Sequence, residues 1–519
     1  MKVAVCLVVK NEQLEIVYWI AWYKALGFDT IIIYDDFSDD ETENVILSLK
    51  NTIDIRYHRN AFNKDIHHIR QIRAYKNTIT KYKQEFNWIA FFDSDEYLDL
   101  YGKNIKDYLM EMNHASLVAF NWCCVGTNNY ISRPPGIPVI NYTLHGSNEL
   151  FWNKHTKVIV KPLSISKPLY HVHNIMVEGQ SVDSAGDPIE WEGDHGGFTK
   201  DYPTWAGGRL IHYQTRSLEH YVIRDRNIEE IRKNKQDPVH NIVSSNDYNQ
   251  IEINISEIYL QNFYKIMKNF VNGQGRIVEQ IIASIPFSYF LYLKDLYSPK
   301  QVSIFDPHYE YENNAIPLYW ISHHSKPGNI LKDKFNSEKK VLAFQIKNYF
   351  NYFLCVCNEE LSVHDDKEPV IALLLEDSDY IHLCTQSSCL LKVKGDPRIG
   401  SVLSYKVWGN PNETISLSHP DTNRYLSFDE HGKHCITKMR AYEWESFSLL
   451  EINLDNCTDT IKETAEYLKS SRSFYEMQIL CQQKKEKNGL IFNAITSLDD
   501  ASKKAIKIIS RGILSEHNM

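Results

Sequence analysis

Three carboxylates in four residues, Asp93-Ser94-Asp95-Glu96, close the apolar run from Trp88 to Phe92. That run has the composition of a central strand covered on both faces. Side chains two apart in a strand point the same way, so Asp93 and Asp95 are expected to project together, with Ser94 turned away. Two carboxylates on one side of a buried strand end repel each other unless a cation lies between them. An oxygen-only ligand set suits Mg2+ or Mn2+ rather than zinc. Such an ion, with positions open for a diphosphate, would offset charge on a phosphate leaving group. A lone Asp-x-Asp is more often a solvated acidic turn. The apolar strand before it and its partners elsewhere in the chain favour chemistry.

The elements that must position these groups can be read in order. Val3–Val9 is an apolar strand and Glu12–Leu26 a helix that stops at Gly27, a residue suited to the C′ position. Thr30–Tyr34 is the next strand and runs into Asp35-Asp36. Glu43–Lys50 is a helix that Ser38 or Asp39 could cap, Ile53–Tyr57 a third strand, and His67–Tyr82 a longer helix before the strand Trp88–Phe92. Strands separated by helices imply a mostly parallel sheet, and ligands bind at the carboxyl ends of such strands. Lys10-Asn11-Glu12, Asp35-Asp36 and Asp93-Ser94-Asp95 all fall at such ends. One acid-tipped strand means little, whereas three tips on one edge make a site. Taken singly, Asp35-Asp36 reads equally well as helix capping and Asn11-Glu12 as a helix start.

In order and spacing these three stretches resemble the family 2 type of glycosyltransferase, and within it the branch allied to family 92. The resemblance covers residues 1 to about 230. It implies an α/β GT-A fold, a Rossmann-like mixed sheet with helices on both faces. It also implies a nucleotide-sugar donor and a divalent metal, Mn2+ or Mg2+, held by Asp93 and Asp95. By the same resemblance Lys10, Asn11 and Glu12 border the nucleoside, and Asp36, or Asp35 beside it, hydrogen-bonds the base. Gln71 and Arg73 lie on the helix that closes the nucleotide pocket, and Ser94 belongs to the donor site. The element Leu210-Ile-His212-Tyr213-Gln-Thr-Arg216-Ser217 matches the end of the branch's catalytic domain and makes His212 the candidate third metal ligand. Imidazole suits Mn2+ better than Mg2+.

The implied reaction is displacement at the anomeric carbon with a uridine carrier and inversion, in which a carboxylate deprotonates the acceptor hydroxyl. The Glu-Asp pair that usually precedes a helix in family 2 is absent. Glu149, Glu178, Asp183 and Asp194 lie in the right half of the domain, and Glu149 is preferred because it sits beside the acceptor-side strands. The loop Val125-Gly126-Thr127-Asn128 is expected to face the acceptor, a glycan or lipid-linked glycan. His155-Thr-Lys157 begins a strand with a basic flank. His171 and His173 alternate on one face, and Gly179–Trp205 reads as a Gly/Asp-rich mobile loop.

Four segments are expected: a catalytic domain over 1–235, a helical connector over 236–339, an all-β trefoil-like domain over 340–453 and a helical tail over 454–519. In the third, Tyr352-Phe-Leu, Tyr380-Ile-His-Leu and Arg424-Tyr425-Leu-Ser recur at a period of roughly forty residues, which argues for a repeat architecture. The passage through Trp444-Glu445-Ser-Phe447 resembles a fascin-like or ricin-like repeat, whose loops bind sugars or protein. A non-catalytic carbohydrate-binding protein with a degenerate transferase domain is the alternative.

Composition removes other classes. A net charge of −9 with scattered Lys and Arg argues against a nucleic-acid binder. Val3–Val9 is too short for a signal peptide and has no cleavage site behind it, and Ile281–Leu293 is too short to span a bilayer. Weak membrane-surface association stays possible. Ten cysteines without metal spacing read as thiols in a reducing, cytoplasmic setting. A haloacid-type phosphatase would carry its Asp-x-Asp on the first strand, and nucleotidyl transfer would need a Gly-rich basic loop near the N-terminus; neither is found.

Overall fold

The computed structural model describes residues 1–220, apart from 61–64, 129, 131–132, 135, 170, 194–196 and 218–219. It further describes 248–285 apart from 272–274, and 340–470 apart from 364–366, 377, 388–390, 397–398, 401 and 420–421. The last described stretches are 500–510 and 513–514. Two compact units result, the first holding Met1–Met267 and the second the described residues from Lys268 onward.

The first unit begins with β1 (Val3–Val9), α1 (Ile16–Ala25), β2 (Thr30–Asp35), α2 (Thr42–Ser48), β3 (Asp54–Arg59), α3 (His67–Tyr82) and β4 (Trp88–Phe91). It continues through β5 (Glu96–Asp99), α4 (Ile105–Glu111), β6 (Leu117–Cys124), α5 (Pro138–Asn141), β7 (Leu144–His145), β8 (Thr156–Val160), β9 (Ser181–Val182), β10 (Arg209–His212), β11 (Ile251–Glu252) and the greater part of α6 (Glu257–Val271). The main sheet runs β3-β2-β1-β4-β8-β6-β10-β5, with β9 beside β6. β3, β2, β1 and β4 are parallel, as strand–helix alternation requires. β8 enters antiparallel between β4 and β6. The start of β8 therefore shares an edge with the ends of β1, β2, β4 and β6.

Every residue of β1, β2 and β4 is buried, which explains their unbroken apolar runs. Helix α1 is apolar nearly all round and buries Trp19, Trp22 and Tyr23 completely. Burying a side chain of that size stabilises by roughly 2–3 kcal/mol. α3 is amphipathic, with Gln71, Ile72, Ala74, Tyr75 and Thr78 inward.

Three sequence expectations change. The strand ends at Phe91, and residues 93–95 lie in a turn closed by Glu96 N–H donating to Asp93 O at 3.2 Å. Strand alternation therefore does not align Asp93 with Asp95. The expected connector is not helical throughout: a helix starts at Glu257, whereas Ile251 and Glu252 pair antiparallel with His145 and Leu144. The Gly/Asp-rich stretch is tied down where it is described. β9 pairs with β6, Trp191 bridges Thr199, and Asp183 Oδ1 accepts from Ala185 and Asp187 N–H. Most of the expected connector, 236–247 and 286–339, lies outside the described residues, as do 221–235 of the expected catalytic domain and 471–499 of the expected tail.

The second unit is dominated by antiparallel strands. In chain order they are β12 (Val341–Asn348), β13 (Leu354–Cys357), β14 (Glu360–Val363), β15 (Ile371–Leu375), β16 (Tyr380–Cys384) and β17 (Leu391–Lys392). β18 (Ile399–Gly400), β19 (Val402–Gly409), β20 (Ile415–Ser418), β21 (Tyr425–Phe428), β22 (His434–Lys438) and β23 (Phe447–Ile452) follow. The order β19-β16-β15-β12-β23-β20 closes on itself because β19 also pairs with β20. The alternate inward residues of that ring, among them Ile346, Ala372, Leu383, Tyr405, Leu417 and Phe447, form one buried core. Helices Asp459–Ser470 and Asp500–Ile509 follow. Every described cysteine in the chain is a free thiol.

Candidate active site

The turn Asp93–Asp95 is held from beneath by α1. Trp19 Nε1 donates to the carbonyls of Asp93 (2.9 Å) and Glu96 (3.1 Å), and Tyr23 OH donates to Glu96 O at 2.9 Å. Trp22 Nε1 donates to Leu98 O at 3.0 Å. Trp19, Trp22 and Tyr23 share one helix face by their spacing. This clamp escaped the sequence reading, although two tryptophans three apart on an all-apolar helix were its visible signal.

Past the turn, β5 pairs antiparallel with β10, placing His212 opposite Glu96. Tyr213 N–H donates to Asp95 O at 2.8 Å. At the far end of the pair, Arg209 Nη2 lies 3.0 Å from Asp99 Oδ2, a buried cross-strand ion pair that sets the register. The result is that His212 Nε2 faces Asp95 Oδ1 at 3.8 Å. Both side chains are 7% exposed, and His212 Nδ1 has no hydrogen-bond partner among the described residues.

Asp93 faces elsewhere. Its Oδ2 lies 2.8 Å from Nζ of Lys157, a fully buried ammonium on β8, and its Oδ1 accepts from Gln71 Nε2 at 2.6 Å. Burial works against the Lys157 charge, but Asp93 and Glu96 outweigh it and hold the ammonium above its ordinary range. Glu96 is also fully buried. Its Oε2 accepts from Asp93 N–H at 2.7 Å and its Oε1 from Trp122 Nε1 at 2.8 Å. Burial, reinforced by Asp93 and Asp95 and opposed by Lys157, pushes the Glu96 carboxyl well above the usual carboxylate range.

A divalent cation can be tested against these groups. Ligand atoms each about 2.1 Å from one ion sit roughly 3–4 Å apart. The Asp95–His212 separation of 3.8 Å fits that span and is too long for a hydrogen bond. Asp93 is committed to Lys157 and Gln71, and among the described residues no cluster of three His, Cys, Asp or Glu side chains is disposed to hold a metal. The donor set thus fits an ion with one carboxylate, one imidazole and the remaining positions left to phosphate or water.

The other expected residues take varied places. Lys10 and Asn11 are exposed at the end of β1, and Asn11 has φ +54°. Asn11 Oδ1 accepts from Asp39 N–H, and Asn11 N–H donates to Ser38 Oγ. Glu12 Oε1 accepts from Ser94 Oγ at 3.0 Å, and its Oε2 lies 3.6 Å from Arg216 Nη1. The fully buried Arg216 also pairs with Glu15. Asp35 and Asp36 are both buried and satisfied within the chain. Asp35 accepts from Ser38 N–H and Tyr57 OH. Asp36 takes both guanidinium arms of Arg70, with His67 and Asn60. Burial would raise the Asp36 pKa, but those donors win and keep it far below the carboxylate range. Arg73 pairs with Asp65. Glu149 is exposed on the turn before Phe151, its N–H donating to Ser147 Oγ. Asp194 lies outside the described residues.

A parallel half-sheet, an antiparallel insertion strand and an acidic turn facing a histidine form a mixed α/β domain that resembles the GT-A fold. Residues 1–288 match glycosyltransferase family 92, and the chain belongs to that family; it is a glycosyltransferase. No curated protein matches it. Similar solved structures include HddC from Yersinia pseudotuberculosis, at 10% identity over 34% of this chain and 90% of that one, TM-score 0.22. TarS 1-349 from S. aureus is 11% identical over 72% and 98%, TM-score 0.24. Glucosyl-3-phosphoglycerate synthase from Mycobacterium tuberculosis, in complex with Mn2+, uridine diphosphate and phosphoglyceric acid, is 18% identical over 23% and 43%, TM-score 0.18. Likenesses at these TM-scores carry no argument about this chain.

Proposed function

We propose that this chain transfers a sugar from a nucleoside-diphosphate donor, with uridine as the expected nucleoside, to a hydroxyl of a glycan or lipid-linked glycan, with inversion. The observation that carries the reading is the approach of His212 to Asp95 at the carboxyl edge of the sheet. Asp95 and His212 would hold Mn2+ or Mg2+, which when bound would offset charge on the departing diphosphate. The chain's own part is positioning. Trp19 and Tyr23 fix the turn by its carbonyls, and Lys157 neutralises Asp93 on one side of it while Asp95 faces His212. Lys10, exposed at the end of β1, is available to the nucleotide. Asp36 acts through the groups it fixes, since Arg70 and His67 occupy its own oxygens. Glu149 is the proposed base. It is exposed, on the turn before Phe151.

Residues 340–453 are proposed as a trefoil-like appendage. The closed ring of β12, β15, β16, β19, β20 and β23, with hairpins outside it, supports that reading. The acceptor class and a cytoplasmic setting stay part of the proposal; no helix among the described residues is long and apolar enough to cross a membrane.

The test is thermal-shift binding of uridine and guanosine diphosphate sugars, with and without Mn2+. The expected result is a shift that needs both the ion and Asp95 and is lost in Asp95→Ala. Glu149→Gln should keep the shift and lose about a hundredfold in turnover. No shift with any donor in the wild type would sink the reading.

A further inference from the structure

Four aromatic rings run in contact from the protein surface to the Asp95–His212 pair. Trp152 is 47% exposed, and its indole lies nearly parallel to the His155 ring, at 5.5 Å and 19°. His155 stacks on Trp122 at 4.4 Å and 16°. Trp122 lies 4.0 Å from the His212 ring, whose Nε2 faces Asp95. The inner rungs are ordinary packing, but the outer end is not. Phe151, 49% exposed, meets Trp152 edge-on at 72° and 5.6 Å and rests against Phe198. An indole face and a phenyl ring thus form an open corner.

Polar groups lie beside Phe198, whose carbonyl accepts from Glu192 N–H at 2.9 Å. Lys154 Nζ pairs with Glu192 at 2.6 Å and lies 5.4 Å from the centroid of the Tyr202 ring. The Glu192 side chain is half-exposed. His155 is tied to the corner through its Nδ1–H, which donates to the Trp152 carbonyl at 3.1 Å, leaving Nε2 as an acceptor. An aromatic face bordered by a carboxylate and an ammonium is the chemistry that recognises a pyranoside, whose C–H face is apolar and whose rim is hydroxylated. Two half-exposed rings are too small an area for a protein partner, which needs roughly 1,200 Å² or more in a stable interface.

We propose that the Phe151–Trp152 corner is the acceptor-sugar subsite: a pyranoside lies on the Trp152 indole, its hydroxyls reach Glu192 and Lys154, and the ladder leads inward to the donor site. This rests on the transferase reading above.

The experiment is binding of the full chain to an array of mono- to tetrasaccharides in the presence of uridine diphosphate and Mn2+, with the nucleotide thermal shift measured in parallel. The wild type is expected to retain one class of glycan. Trp152→Ala should weaken that retention about tenfold and Trp152→Tyr should recover it to within about threefold, all with an unchanged nucleotide shift. If Trp152→Ala does not fold, Phe151→Ala against Trp152→Tyr carries the comparison. Retention unaffected by these changes overturns the subsite, and so does a wild type that binds nucleotide but no glycan. Trp152-dependent glycan binding without any nucleotide shift would keep the subsite and sink the donor reading.

Discussion

At the scale of the residue, the site depends on how each carboxylate is compensated. Asp93 and Asp95 are sequence neighbours with different partners, an ammonium for one and an imidazole for the other. Lys157→Met strips the cation from Asp93 and should destabilise the protein by about 3 kcal/mol, the low end for a broken buried pair because Asp93 is 31% exposed. Urea unfolding measures it, and a loss under about 1 kcal/mol would show Lys157 to be unimportant. Adding Asp93→Asn should restore part of the loss. His155 offers a pH test. Burial first, then the neighbouring His212, His171 and Lys157, pull its pKa down to about 4, against the partial counter-effect of the Trp152 carbonyl. Its unfolded value is about 6.5, so between these limits the unfolded chain binds more protons. The His155 contribution is therefore intact above about pH 6.5 and is lost as pH falls toward 4. The stability difference between wild type and His155→Phe should shift against the wild type by about 2–3 kcal/mol from pH 7 to pH 4. A flat difference would show that the ring is not held neutral.

At the scale of the element, the β5–β10 pair does most to build the site. It follows the acidic turn without a break and carries the chain's His212 back to it, with Arg209 and Asp99 fixing the register. Its approach is tight. A Cβ on Gly207, two residues before β10, would lie 1.6 Å from the Ser184 carbonyl oxygen, itself held by Tyr108 OH at 2.7 Å. Gly207→Ala must move backbone rather than a side chain. It should cost about 1–3 kcal/mol and weaken the Mn2+-dependent nucleotide shift with it. Wild-type stability and an unchanged shift would show that β10 tolerates displacement. Helix α1 offers the complementary case. Trp19 Nε1, Trp22 Nε1 and Tyr23 OH all reach the backbone of the turn and of β5, which makes an otherwise ordinary core helix part of the site.

At the scale of the molecule, every residue assigned to the donor and acceptor sites lies in the first unit, Met1–Met267. A chain ending at residue 288, the limit of the family match, should therefore keep the nucleotide- and Mn2+-dependent shift at near full size. Its loss in a folded fragment would show that the second unit completes the donor site. The order of strands and helices through Phe91, and the gathering of Lys10, Asp35-Asp36 and Asp93–Asp95 on one edge, were legible in the sequence. Apolar runs alternating with amphipathic ones force a parallel sheet, and parallel strands present their carboxyl ends together. The short strands from Val341 to Ile452 were legible for a similar reason, as turn residues punctuate them. What the sequence could not show is which group each carboxylate meets. It suggested that Asp93 and Asp95 act side by side, whereas a turn separates them and sends one to Lys157 and the other to His212. It missed the α1 clamp and the ring ladder beginning at Trp152. These contacts join segments far apart in the chain, and only the antiparallel insertion of β8 and the register of β10 bring them together. Local pattern determines which strands form and which ends are polar; electrostatic pairing across the sheet is decided by strand order and register, which no local pattern encodes.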